Sequence, residues 1–529
     1  MTKRMWMGAL AMALCGIGGC DADSGGYDGS AADGSAGVDP TVGGDGESPA
    51  DDGVGPAVGQ GGAQDFGQFR QILEEGNIPG PETLDDVGFF AEHRIDLGPA
   101  TCEDDVCLQG SLAVMGNMVN GNNCTMVMMG MTTPIDIESM PRPPLNLAIA
   151  IDTSGSMLGS PIDYVRDGLL EMQQVLRPED HVTLIAFSDR AEVLAQGLSG
   201  DDPALTDAIA SISAQGRTDV YGGLRSALEY VDSSVDPTRQ NRVLLLSDGE
   251  STTGVVNDAR VLTLAESYAA RGISVSTIGM GEAFDPALMR GLAETGGGAF
   301  YFVEDPAAVH EVFVEEALAF LLPLARNVVI DAEIAHGYSL RGVFGTQRAT
   351  VTPGRTRIEI PSLQLAHRVS SGDNEAGRRG GGGAMVLELT PEAGASGADV
   401  GILRIAYDTP WGDSRVEQEV EIRSPLDPGE TPEDGFFEAD GTHKAFVTLN
   451  LYAGFEMAAV RAAAGDGLGA LQVLEPLGEA VEAWLAQNPD ADIEDDLRYV
   501  DLFIENLEQR GVQAPMDLPP PAEDPWPQD

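Results

Sequence analysis

Residues 147–157 read LAIAIDTSGSM, an apolar run that ends in a carboxylate and three hydroxyls. The first five residues show no alternation of polar and apolar side chains. Such a strand is typical of a parallel sheet that is covered on both faces. Asp152 ends the strand, and Ser154 and Ser156 follow directly. Because ligands of parallel sheets bind outside the carboxyl ends of the strands, these side chains are candidates for a functional site.

Strands of the same type recur across residues 141–322, with helical patterns between them. They are LNLAIAI (145–151), HVTLIAFS (181–188), RVLLLS (242–247), ISVSTIGM (273–280) and AFYFV (299–303). Apolar strands that alternate with helices indicate crossover connections and a parallel sheet. The sequence therefore predicts an α/β domain with a Rossmann-like, doubly wound, mostly parallel sheet.

Two more polar positions belong to the same predicted rim. Asp248 follows the buried strand RVLLLS, and Thr218 precedes a helix in GRTDVYGGL. Together with Asp152, Ser154 and Ser156 they form a set of oxygen ligands, which hard divalent cations prefer. We predict a Mg²⁺ site, with Mn²⁺ or Ca²⁺ as alternatives.

The pattern of Asp152, Ser154, Ser156, Thr218 and Asp248 resembles the metal-ion-dependent adhesion site of the von Willebrand factor type A domain. The resemblance implies that the serines and the threonine ligate the ion directly or through water, and that both aspartates take part. It also implies binding of a protein ligand that presents a carboxylate to the metal. The segments FRQILEEGNIPGPETLDDVGFF and GILRIAYDTPWGDSR resemble regions of bacterial exported members of this family.

The regions around this domain have different patterns. Residues 66–140 are predicted to form a leader subdomain, and short alternating strands at 323–425 indicate an appended β-sandwich. Apolar residues at intervals of three and four predict C-terminal helices across 437–510. The proline-rich and acidic end, 511–529, is predicted to be disordered.

The first residues are typical of a secreted bacterial lipoprotein. Lys3 and Arg4 precede a short apolar run, and IGGC (17–20) resembles a lipobox. We expect cleavage of residues 1–20 before Cys20, lipidation of Cys20 and a disordered Gly/Asp/Ser tether over 21–65. This places the protein in the bacterial cell envelope, lipid-anchored to a membrane. An ordinary signal peptide and an uncleaved anchor are the alternatives.

Three further cysteines remain after Cys20, and Cys102 and Cys107 are the nearest pair for a disulfide in an oxidising compartment. The chain has 30 Lys and Arg residues against 85 Asp and Glu residues, a formal net charge of −55. Such a charge disfavours binding to nucleic acid.

Catalysis is not expected, because the sequence has no HExxH, no GxSxG and no phosphate-binding GxxxxGK[ST] motif. A structural envelope scaffold, in which the metal only stabilises the rim, and a metal-dependent hydrolase stay open as alternatives to ligand binding.

Overall fold

The computed structural model describes residues 58–64, 66–135, 142–248, 251–280, 285–303, 306–316, 323–366, 382–392, 394–410, 414–515 and 518–525. The predicted signal peptide, Cys20 and the predicted tether as far as residue 57 lie outside these residues.

Eighteen strands are found in the described part of the chain. In chain order they are β1 (Val58–Gln60), β2 (Gly62–Ala63), β3 (Cys107–Gly116), β4 (Asn123–Thr132), β5 (Leu145–Asp152), β6 (His181–Phe187), β7 (Ala191–Ser199), β8 (Gln240–Ser247), β9 (Ile273–Met280), β10 (Gly297–Val303), β11 (Pro323–Ile334), β12 (Tyr338–Phe344), β13 (Ala349–Thr352), β14 (Arg355–Leu365), β15 (Met385–Pro391), β16 (Asp399–Asp408), β17 (Arg415–Arg423) and β18 (Phe436–Phe437).

The helices of the same residues fall between and after these strands. They are α1 (Gly67–Glu74), α2 (Asp86–Ala91), α3 (Ser160–Val175), α4 (Pro203–Ala210), α5 (Val220–Ser233), α6 (Asp258–Ala269), α7 (Pro286–Gly296), α8 (Pro306–His310), α9 (Asp440–Ala463), α10 (Gly467–Leu485) and α11 (Ala491–Gln509). Short 3₁₀ turns occur at Pro81–Thr83 and Gly155–Met157, and a π-helical segment at Glu311–Glu316.

A seven-stranded sheet with the order β2-β10-β9-β8-β5-β6-β7 forms the α/β domain. All neighbours are parallel except β6 and β7, which are antiparallel. The chain moves from β5 to β6 on one side and then crosses to β8 on the other. The order therefore reverses at β5, and in such sheets the crevice for a ligand opens at this point. The predicted Rossmann-like, mostly parallel sheet is confirmed.

Both faces of β5 are buried, which explains the apolar run at residues 147–151. Leu147, Ile149 and Ile151 pack into a core with α3 and α4 on one face. Ala148 and Ala150 pack into a second core with α5, α6 and α7 on the other. Asp152, the last residue of the strand, therefore marks the rim of the sheet.

The β-sandwich consists of two further sheets. One contains β1, β14, β11, β16 and β17, with β13 paired to β14, and the other has the order β12-β15-β4-β3-β18. Their facing side chains, such as Val127, Ile330 and Leu387, share one core. The appended sandwich is therefore present as expected. Strands β3 and β4, which we assigned to a leader subdomain, instead form the middle of this second sheet.

The C-terminal helices cover the outer face of the five-stranded sheet. Met126 and Met128 of β4 point into a core with α9, α10 and α11, whereas Val127 points into the sandwich. Helix α1 joins the same core, where the ring of Phe69 lies 5.0 Å from that of Phe455 and 6.3 Å from that of Phe503. The predicted leader helices and C-terminal helices thus form one packed layer.

Two terminal segments are more ordered than the sequence predicts. Residues 58–64, assigned to a disordered tether, contain β1 and β2. Residues 518–525, assigned to a disordered tail, pack against the body, where Asp524 accepts a hydrogen bond from Asn122 Nδ2 (2.6 Å) and pairs with Arg341 (3.2 Å). Polar contacts to residues far along the chain order both segments, and local composition does not reveal such contacts.

Cys102 and Cys107 form a disulfide, while Cys124 is a buried free thiol. None of the helices in the described part of the chain combines the length and the apolar character that crossing a membrane requires.

Candidate functional site

Asp152 is fully buried at the carboxyl end of β5. Its Oδ1 accepts a hydrogen bond from the Ser154 backbone N–H (2.8 Å), and its Oδ2 accepts one from Ser247 Oγ (2.6 Å). Burial raises the pKa of Asp152 to about 6. Repulsion from Asp248 also raises this pKa, whereas the hydrogen bonds from Ser247 and Ser154 lower it. The carboxylate is therefore positioned but poorly solvated, and a cation beside it would stabilise its charged form.

The hydroxyls of the same loop lie next to each other. Ser154 Oγ and Ser156 Oγ are 3.0 Å apart. Ser154 is buried and Ser156 is exposed, because the 3₁₀ turn at Gly155–Met157 carries the chain from the sheet to the surface. The pair thus extends from the buried carboxylate to solvent.

The loop that contains Thr218 is hydrogen-bonded to the Asp152 loop. The Gly155 N–H donates to Gly216 O (3.0 Å), and the Gln215 N–H donates to Thr153 O (2.5 Å). Thr218 itself is buried and lies two residues before the start of α5. Asp219 caps that helix by accepting a hydrogen bond from the Gly222 N–H (2.9 Å), which fixes the chain direction at Thr218.

The loop after β8 is hydrogen-bonded to Thr218 in turn. Thr218 O accepts from the backbone N–H groups of Thr252 and Thr253, both at 3.0 Å. Thr252 Oγ1 accepts from the Thr218 N–H (2.9 Å). Asp248 is buried at the start of this loop. The structure therefore brings all five predicted site residues to one rim, in three loops joined by backbone hydrogen bonds.

The donor set fits a hard divalent cation. It offers two buried carboxylates and three hydroxyls, all of them oxygen. No group of three or more His, Cys, Asp or Glu side chains suited to a metal occurs within the described ranges. An ion at this rim must therefore draw on the hydroxyls of Ser154, Ser156 and Thr218 as well as on the carboxylates.

Three supporting residues were missed by the sequence analysis: Ser247, Asp219 and Thr252. Ser247 directly precedes Asp248, and its position at the end of a buried strand was a signal for a role at the rim. Asp219 before a helical pattern is an ordinary capping signal. Thr252 carries no sequence signal, since its role depends on how the third loop folds back.

Comparison with known proteins agrees with the geometry. Residues 146–315 match the family of the von Willebrand factor type A domain. This segment is a von Willebrand factor type A (VWA) domain. VWA domains generally mediate protein–protein interaction, often through a divalent metal.

The similar proteins match this chain over only part of their length. Over 289 residues the chain is 25% identical to the uncharacterized protein YfbK of Escherichia coli, covering 54% of this chain and 48% of that protein. Over 173 residues it is 28% identical to human inter-alpha-trypsin inhibitor heavy chain H4, covering 30% of this chain and 18% of that protein. The chain thus spans less than half the length of either relative.

Among solved structures, von Willebrand factor type A from Catenulispora acidiphila aligns with a TM-score of 0.48 and 16% identity. The alignment covers 75% of this chain and 89% of that one.

Proposed function

We propose that this protein binds a protein ligand through a divalent cation, Mg²⁺, held at the rim of the VWA domain. Asp152, Ser154, Ser156, Thr218 and Asp248 hold the ion. When bound, the ion supplies a Lewis-acidic contact for a carboxylate of the partner. The chain's own residues position the oxygen ligands before the partner arrives.

The backbone hydrogen bonds among the three loops carry this proposal. They fix Gly155 to Gly216 and Thr218 to Thr252 without using any of the candidate ligand side chains. A rim that is organised through its backbone leaves its side-chain oxygens available for an ion and a partner. Binding in this form requires no nucleophile, so we propose a binding protein rather than an enzyme.

Exposed apolar side chains beside the rim favour a protein partner over a purely structural ion. Leu158 is 72% exposed two residues after Ser156, and Val256 is 61% exposed in the loop that follows Asp248. The buried centre of a protein interface is more apolar than the rest of the surface, so these side chains suit the area around the metal contact. Leu158→Ser is expected to weaken partner binding and to leave Mg²⁺ binding unchanged.

The metal is tested first and directly. Titration calorimetry of the metal-free chain with MgCl₂, and electron paramagnetic resonance with Mn²⁺, should detect one site. Ser154→Ala combined with Ser156→Ala removes two oxygen ligands and should abolish it. Ser233→Ala combined with Ser267→Ala is the matched control, because both hydroxyls are exposed and bond only to carbonyls of their own helices.

Partner binding is tested by crosslinking pull-down from intact cells. EDTA should release the partner, Mg²⁺ should restore it, and the Ser154/Ser156 double variant should fail to capture it while staying folded. If the double variant only lowers the melting temperature and captures the same proteins, the ion is structural and the scaffold alternative holds. Mg²⁺-dependent hydrolysis of generic esters or phosphates that Asp152→Ala abolishes would support the hydrolase alternative.

We also propose that Cys20 carries a lipid and holds the protein at a membrane of the cell envelope. The support is the IGGC sequence after a short apolar run. Cys20→Ala should move the protein from the membrane fraction to the soluble fraction, and mass spectrometry should find diacylglycerol on the N-terminal peptide of the wild type. Retention of Cys20→Ala in the membrane fraction would favour an uncleaved anchor.

A further inference from the structure

A cavity of about 290 Å³ lies between the VWA domain and the β-sandwich. Its wall combines Arg242 of β8 and Ser274 of β9 with Arg326 of β11 and Pro361 of β14. The first residues of β8 line it, whereas the metal rim lies beyond the last residue of β8. Seven residues of strand separate the two positions by about 20 Å, so the cavity is distinct from the rim.

The lining of the cavity is rich in arginine, whereas the protein as a whole is strongly acidic. Four arginines, Arg239, Arg242, Arg271 and Arg326, are among its described lining residues, and no acidic residue is. The chain as a whole has a formal net charge of −55. Such a concentration of positive charge in a concave site attracts anions.

Two of the four arginines are fixed by their own contacts. Arg239 Nη1 donates to Leu145 O (3.0 Å) and to Glu179 O (2.6 Å), and its Nε lies 3.6 Å from Asp236 Oδ2. Arg271 pairs with Asp232. These contacts hold the two guanidinium groups in the wall. They also occupy hydrogen-bond donors that a ligand would need, so Arg242 and Arg326 decide which ligand the cavity can bind.

Arg242 is buried without a full set of hydrogen-bond partners. It is only 7% exposed, and its Nε and Nη1 have no hydrogen-bond partner in the part of the chain that the structure describes. Burial lowers its pKa to about 10, so the side chain is still protonated at neutral pH. An unpaired buried charge is strongly unfavourable, and a bound counter-anion removes the penalty.

We propose that this cavity binds a small organic phosphate, with the phosphate on Arg242 and Arg326. A guanidinium group matches the geometry of phosphate oxygens with two parallel hydrogen bonds. Two guanidinium groups match a phosphate dianion better than a carboxylate, which carries a single charge. The volume exceeds that of a bare phosphate, and Pro323, Pro361 and Pro410 provide apolar wall for the organic part.

Calorimetric titration of the full chain with phenylphosphate tests the proposal, with phenol and benzoate as comparison ligands. Phenylphosphate should bind the wild type, benzoate should bind at least about tenfold more weakly and phenol should not bind detectably. Phenylphosphate should also raise the melting temperature. Arg242→Met, which keeps the volume and removes the charge, should lose the binding by about tenfold or more.

Two further variants separate binding from folding. Arg326→Met changes an exposed side chain, so it should weaken phenylphosphate binding with no change in melting temperature. Arg225→Met, at an exposed position of α5 outside the cavity, is the matched control and should bind like the wild type. Without ligand, Arg242→Met should melt no lower than the wild type, because it removes a buried unpaired charge.

The proposal is overturned if phenylphosphate does not bind at millimolar concentration, or if Arg242→Met and Arg326→Met both bind it like the wild type. Benzoate that binds as tightly as phenylphosphate would overturn the assignment to phosphates. The Mg²⁺ titration of all three variants should match the wild type, so a failure here leaves the function proposed for the rim unaffected.

Discussion

Ser247 Oγ lies 2.6 Å from Asp152 Oδ2 and donates a hydrogen bond that joins the carboxyl ends of two neighbouring parallel strands. Both residues are buried. The hydroxyl therefore stabilises the carboxylate that we propose as a metal ligand.

Ser247→Ala should lower the free energy of unfolding of the metal-free protein by about 2 kcal/mol, because a buried carboxylate oxygen loses its donor. Urea denaturation in EDTA measures this change. Ser267→Ala, at an exposed position of α6, should stay close to the wild type. A Ser247→Ala protein as stable as that control would show that the hydrogen bond contributes nothing.

Gly254→Ala should damage the rim by displacing a helix cap. A Cβ on Gly254 would clash with Oδ1 of Asp219, the residue that caps α5 next to Thr218. We expect lower stability and weaker Mg²⁺ binding. Gly272→Ala is the matched control, since its φ of +82° is similar to the +72° of Gly254 but its Cβ meets nothing within 4 Å. Equal effects of the two substitutions would attribute the loss to backbone strain alone.

Glu388 should make stability depend on pH. Its side chain is fully buried, 3.3 Å from Arg341 Nη1, and burial raises its pKa to about 8. A carboxyl group whose pKa is raised in the folded state contributes its full stabilisation when the pH is below its pKa in the unfolded chain, near 4.5. This contribution falls by ~1.4 kcal/mol per pH unit as the pH rises, until the folded pKa is passed.

Urea denaturation between pH 5 and pH 8 measures the effect. The free energy of unfolding should fall less steeply with rising pH in Glu388→Gln than in the wild type. Asp86 and Glu294, whose pKa values burial raises to about 7, contribute to the slope in both proteins with the same sign. Glu392→Gln, at an exposed position, should keep the wild-type slope. Identical slopes for all three proteins would contradict the prediction.

Lys444→Met should destabilise the helical layer. The Lys444 ammonium pairs with Asp490 (2.8 Å) and with the fully buried Asp492 (2.7 Å) at the start of α11. Its removal takes away the cation that pairs with a buried carboxylate, a loss of about 3–5 kcal/mol. Arg225→Met removes an exposed ion pair with Glu229 and should change stability by less than about 1 kcal/mol. Thermal melting of the two variants gives the comparison.

The VWA fold could be predicted because its strands are buried on both faces. Because similar apolar runs alternate with helical patterns, LNLAIAI is predicted to be a strand of a parallel sheet. Asp152 then lies at the carboxyl end of that strand, which is the rim of the sheet. The five site positions follow from that placement and from the family pattern. Thr252 was missed because its role is a contact between loops that only the folded chain brings together. Ser247 was missed although its position at the end of a buried strand was a signal.

The arrangement outside the VWA domain was harder to predict because it depends on pairing between distant residues. Strand β4 was recognised as a strand, but its partner β15 lies more than 250 residues away in sequence. The register of such a pair is set by burial on both sides of the sheet. Residues 518–525 were likewise fixed by contacts with Arg341 and Asn122, which composition does not reveal.

Strands β1 and β2 are separated by Gly61 alone, yet β1 pairs with β14 of the sandwich and β2 pairs with β10 of the VWA sheet. Any mechanical tension that reaches Val58 from the preceding chain is therefore transmitted to both domains within a few residues. If the protein is anchored by a lipid at Cys20 while its rim binds a partner, any force between the anchor and the partner passes through β1, Gly61 and β2. The first element to give way under force should be the three-residue pairing of β1.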